Sequence, residues 1–127
     1  MYKKIIFGLL SAALLTVLFA ACTIRDASTL PSGPTVHMGG SQFLQTTITL
    51  KKGDKLTLVD DAAAPHVITN GKWDGATQKP ALEPGAPRVN LNFSGGDSKS
   101  TDPFNTAGTF AIYCTIHGGM NLTVTVQ

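Results

Sequence analysis

Two runs near the C-terminus, Gly108-Thr-Phe-Ala-Ile-Tyr-Cys114 and Asn121-Leu-Thr-Val-Thr-Val126, alternate apolar and polar residues with a period of two. Only a six-residue loop separates them. This period suits a strand, which sends every second side chain to the same face, and does not suit a helix. Weaker versions of the pattern recur at residues 47–50, 55–59 and 88–93, with short candidates at 36–38 and 67–69. Gly, Pro, Asn and Asp punctuate the runs, as in the Lys52-Gly53-Asp54 turn, and residues 71–87 read as a polar loop. No amphipathic helix and no internal repeat stand out. Short strands with frequent turns predict an all-β fold, a Greek-key antiparallel β-sandwich.

The alternation also aims particular side chains. Phe110, Ile112 and Cys114 share a face, so the first two fill a core and Cys114 points inward at the strand's end. Tyr113 is expected on the opposite, solvent-facing side. His117 follows Cys114 by three residues and Met120 follows His117 by three. A second histidine, His66, sits in Ala64-Pro65-His66-Val67 beside another strand-like run. Thiolate, two imidazoles and a thioether suit copper cycling between Cu(I) and Cu(II), with the methionine as a weak axial donor. Taken singly, His66 reads as a polar strand-end residue, Met120 as core, His117 as a turn residue and Cys114 as a buried structural thiol. Their order along the chain is what joins them.

Other chemistries fit less well. A binuclear purple copper centre needs two bridging cysteines, and Cys114 is alone in its loop. A multicopper oxidase needs histidines flanking the cysteine, where Tyr113 and Thr115 stand here. Zinc prefers four strong N/S ligands over a thioether. A cysteine nucleophile based on His66 or His117 would leave Met120 without a role. No enzyme activity is expected. His37 reads as surface, Met38 as packing, and Trp73 as packing or a partner contact. Asp60 and Asp61 read as solvating the loop before His66, or as offering it a hydrogen bond.

The chain resembles the cupredoxins of plastocyanin/amicyanin type over about residues 36–127. Three features carry the resemblance: Lys51-Lys52-Gly53-Asp54, Pro65-His66, and Gly108-x-Phe-x-x-Tyr-Cys-x-x-His-x-x-Met120. The resemblance implies one type 1 copper held by His66, Cys114, His117 and Met120. It implies a one-electron carrier whose redox partners dock transiently near His117, with Tyr113 as a second electron route. It also implies that outer-shell groups tune the site. Many relatives place an asparagine after the first histidine to tie the ligand loops together, and here that position is Val67. Gly118-Gly119 stands where relatives often carry proline. These two departures favour a competing reading, a copper storage, delivery or sensing protein.

The N-terminus reads as an address. Lys3 and Lys4 precede an apolar stretch, and Leu18-Phe19-Ala20-Ala21-Cys22 resembles a bacterial lipoprotein cleavage site. Residues 1–21 are thus expected to be a signal peptide, and Cys22 the lipidated residue. Residues 22–35 would form a tether reaching roughly 20 Å, and residues 36–127 the folded domain. The expected location is the extracytoplasmic side of the cell envelope, anchored to the membrane through lipid on Cys22, with the protein a monomer. Because lipid takes Cys22 and metal takes Cys114, no disulfide is expected. The formal charge of +2 comes from Lys3 and Lys4, so the mature chain would be neutral. Without a basic patch, nucleic acid is not an expected partner.

Overall fold

The computed structural model describes residues 33–127, and every regular element among them is a strand. The expected residues 1–21 signal, Cys22 and most of the tether lie outside the described residues. Nine strands run β1 (Thr35–Met38), β2 (Thr47–Leu50), β3 (Thr57–Asp60), β4 (His66–Asp74), β5 (Thr77–Pro80), β6 (Asn90–Phe93), β7 (Ser98–Ser100), β8 (Gly108–Cys114) and β9 (Asn121–Val126). One sheet has the order β1-β3-β7. The other has the order β2-β9-β8-β4-β5, with β6 also pairing β4.

The all-β class holds, and the two strongest alternating runs are β8 and β9 to the residue. The sheets are mixed rather than wholly antiparallel, because β1 pairs β3 and β2 pairs β9 in parallel. The chain passes from one sheet to the other between β1 and β2 and returns for β3. Two reversals bring β3 beside β1 in the same direction. Local alternation specifies which face is buried and carries no information about which distant strand is the neighbour.

The core is the buried face of each strand. Leu122, Val124 and Val126 alternate inward along β9, and Phe110, Ile112 and Cys114 do so along β8. They meet Val36, Met38, Leu58 and Ile68, with Phe104 tilted against Phe110 at 5.8 Å between ring centroids. Each such side chain contributes about 1.5–3 kcal/mol by leaving water. Met38 is packing, as expected.

Residues 71–87 depart from the expected loop. β4 continues to Asp74 and turns back through Gly75 and Ala76 into β5, with Gly75 at φ +59°. At its start the hairpin is very close-packed. Gly71 has φ +120°, and a Cβ there would lie 2.4 Å from the Lys79 carbonyl oxygen. The composition of β5, Thr-Gln-Lys-Pro, is wholly exposed and polar, so it lacks the apolar alternation that marks a strand in sequence. Its pairing with β4 holds it.

Candidate metal centre

β4 and β8 deliver the first two candidate ligands to one end of the larger sheet. His66 opens β4, Cys114 closes β8, and both are completely buried. The register pairs Ile68 with Cys114, which places the cysteine next to the start of β4. The loop after Cys114 then curls back. Thr115 N–H donates to the Val67 carbonyl at 2.8 Å, Met120 N–H to the His117 carbonyl at 3.2 Å, and Cys114 N–H to the Met120 carbonyl at 3.0 Å. Gly119, at φ +75°, supplies a left-handed turn that a side chain would resist. Gly118-Gly119 is thus part of a hydrogen-bonded turn.

The donor atoms converge. Sγ of Cys114 lies 3.8 Å from Nδ1 of His66 and 3.4 Å from Nδ1 of His117. Ligand atoms of these three residues all fall within 4.8 Å of one another, and the two imidazoles are 4.8 Å apart at 60°. His117 is only half-buried. Met120 is buried at the far end of the same loop. A metal bonded to nitrogen at about 2.05 Å and to sulfur at about 2.3 Å, with an angle near 120°, separates those donors by about 3.8 Å. The spacing therefore fits a single ion. The donor chemistry selects copper, because a thioether serves Cu(I) and is a poor ligand for zinc.

Burial lowers the pKa of His66 below its ordinary 6.5, against the opposing pull of the Asp60 carboxylate, and His117 adds to the lowering. The imidazole is therefore held neutral, the form that binds metal.

Two expectations are corrected here. Tyr113 is 1 % exposed, not on the surface. The β4–β5 hairpin covers the second face of β8, and Trp73 meets Tyr113 edge-on at 6.2 Å. Asp60 does not solvate its loop, since its side chain is wholly buried with Oδ1 3.7 Å from Nε2 of His66. Asp61 and His37 are exposed as expected and pair with each other at 2.7 Å.

The hairpin also supplies contacts that sequence reading missed. Trp73 Nε1–H donates to the Cys114 carbonyl at 2.7 Å, and Gln78 Nε2–H to the Thr115 carbonyl at 3.0 Å. Asn121 locks Trp73 in turn, accepting its backbone N–H at 2.7 Å and donating to its carbonyl at 3.0 Å. These bonds and the Thr115–Val67 bond clamp the cysteine loop where Val67 cannot supply a side-chain tie. The signal available in sequence was a lone tryptophan in a polar segment, which names no partner.

The profile of copper-binding proteins of the plastocyanin/azurin family matches residues 34–127. The chain is a member of that family. This cupredoxin is a blue copper electron carrier with one type 1 copper as its cofactor. Its fold is similar to that of amicyanin from Paracoccus versutus, with a TM-score of 0.59 and 22% identity over 79% of this chain and 87% of that one. A reduced amicyanin variant gives 0.58 and 23% over 80% and 88%. A purple cupredoxin from Nitrosopumilus maritimus gives 0.57 and 17% over 74% and 99%. No curated protein matches the sequence.

Proposed function

We propose that this cupredoxin carries one electron at the cell envelope, with His66, Cys114, His117 and Met120 as its copper ligands. The observation that carries this reading is the aim of two Nδ1 atoms at one buried sulfur, at 3.8 and 3.4 Å. Bound copper supplies the Cu(I)/Cu(II) couple. The protein's part is to hold the donors still, so that little moves when the electron arrives or leaves. Strand ends hold His66 and Cys114, and the bonded turn holds His117 and Met120.

Half-buried His117 is the electron's exit. Around it in sequence stand Ile116, half exposed, and the exposed Gly118 and Gly119. Such a neutral, apolar rim suits brief docking of a redox protein, which needs a small contact and fast release. Tyr113 offers a second route, leading from Cys114 toward half-buried Trp73.

The test is titration of the full chain with Cu(II), followed by visible absorption. An intense thiolate-to-copper band that saturates at one copper per chain, bleaches with reductant and returns on oxidation is expected. A protein that only reduces and retains Cu(I) would instead be a copper store or delivery protein. Met120→Leu keeps the volume and removes the thioether. The band should persist while the potential rises by about 59 mV or more, tenfold in relative affinity for the two states. An unchanged potential would remove Met120 from the ligand set.

Residues 1–21 are proposed as a signal peptide and Cys22 as the lipid anchor, on the strength of the Leu18-to-Cys22 motif. Cys22→Ser should move the protein from the membrane to the soluble fraction. Continued membrane association would point to an uncleaved N-terminal anchor.

A further inference from the structure

We propose that Asp60 is a positioning residue of the copper centre, its carboxylate accepting the Nε2–H of His66 and its charge favouring the oxidised state. The inference rests on His66 being a copper ligand.

The side chains of Asp60 and His66 are both fully excluded from solvent. Asp60 Oδ1 accepts the Ala62 N–H at 3.1 Å, whereas its Oδ2 has no partner. Nε2 of His66 has none either. A buried charge or polar group without a partner is costly, and native structures leave few of them. Here the unpartnered Nε2 faces a carboxylate that has one oxygen, Oδ2, without a partner of its own. The 3.7 Å between Oδ1 and Nε2 exceeds a normal hydrogen bond by roughly 0.5–1 Å, so a small ring movement gives Nε2–H an acceptor in this carboxylate.

The ring's orientation says when that happens. Nδ1 of His66 is turned toward Cys114 Sγ. When Nδ1 serves as the ligand, the one ring proton of a neutral imidazole must sit on Nε2. Nε2 then becomes an obligatory donor; among the described residues the carboxylate within 4 Å of it is that of Asp60, while the Gly39 backbone and the Asp97 carboxylate act on the ring more weakly. Metal-bound imidazoles characteristically need such an acceptor to set tautomer and tilt.

Asp60 is well fixed for the task. It ends β3, its N–H donates to the Asp97 carbonyl at 2.9 Å, and the next N–H, of Asp61, donates to the Met38 carbonyl at 3.0 Å. The following loop is held by Gly96 N–H to the Ala62 carbonyl at 3.1 Å.

The electrostatic consequence follows from counting charges. One thiolate and one carboxylate balance the two positive charges of Cu(II). Adding an electron leaves one negative charge unbalanced in a dry, low-dielectric site, where charge effects are large. The carboxylate therefore weights the couple toward Cu(II).

The test is a redox titration of the copper-loaded full chain, wild type against Asp60→Asn. Asparagine keeps an oxygen for the Ala62 N–H and for Nε2–H and drops the charge, so a merely structural role predicts no change. The expected result is a retained visible band with the Cu(II)-to-Cu(I) affinity ratio lowered at least tenfold, an upward shift of about 59 mV. A retained band with an unchanged potential overturns the inference and leaves the ligand assignment intact. Wild type without the band overturns the ligand assignment and the inference together. If Asp60→Asn takes up no copper, the wild-type Cu(I) form decides by proton–nitrogen NMR. A His66 Nε2–H far downfield of that of His117 supports the carboxylate acceptor, and its absence overturns it.

Discussion

Cys114→Ser should abolish the visible thiolate-to-copper band completely while leaving the sandwich folded. The band belongs to the sulfur, and a serine oxygen is too hard a donor for Cu(I) and has no comparable transition. The replacement is nearly the same size. Its hydroxyl would sit where Cys114 Sγ lies, 3.8 and 3.4 Å from two imidazole nitrogens, and so would find a hydrogen-bond partner. The cost of the buried polar group should then be about 1 kcal/mol, against the about 2–5 kcal/mol expected for emptying a core position such as Ile112. Absorption after stoichiometric Cu(II), together with a thermal melt of the metal-free protein, separates the two effects. A surviving band would remove Cys114 from the centre.

Gly71→Ala is expected to be the most damaging single-methyl change near the site. The new Cβ would meet three backbone atoms, the Lys79 oxygen at 2.4 Å, Pro80 Cα at 2.8 Å and Ala81 N at 2.9 Å. No side-chain rotation relieves a clash with backbone, and φ of +120° is itself costly for a residue with a Cβ. Strain and overpacking together amount to about 2–4 kcal/mol, a melting temperature roughly 10–25 °C lower for a domain this size. The strain is released if β5 swings away from β4; Gln78 then loses the Thr115 carbonyl and the Tyr113 hydroxyl, and Trp73 loses its cross-strand partner Gln78. Trp73 is the only tryptophan, so its emission reports the clamp directly. A red shift with a lowered melting temperature is expected. Wild-type emission and stability would show that the hairpin does not clamp the ligand loop.

The site was far more legible in sequence than its surroundings. Cys114, His117 and Met120 lie within seven consecutive residues, so their convergence needs only a strand end and a turn. His66 required the family resemblance, because one histidine after a proline says little alone. Asp60 was placed beside the right loop and given the wrong environment, since an aspartate next to Asp61 and three alanines looks solvated. Burial came from contacts with Asp97 and Met38, outside its own segment. Tyr113 failed for the same reason. Alternation correctly sent it away from Phe110 and Ile112, but a second layer covers that face too.

The sequence by itself determined strands β8 and β9, the inward aim of Cys114 and the copper-type donor set. These depend on side-chain period and on spacing within one short segment, and both are local. Only the tertiary structure decided the parallel pairings, the folding of residues 71–80 into a hairpin, and the Trp73 bond to a carbonyl 41 residues away. It alone enclosed Asp60 against His66. Those features depend on which distant backbone groups and faces are brought together, and the polar residues that make them carry no periodic signal of their own.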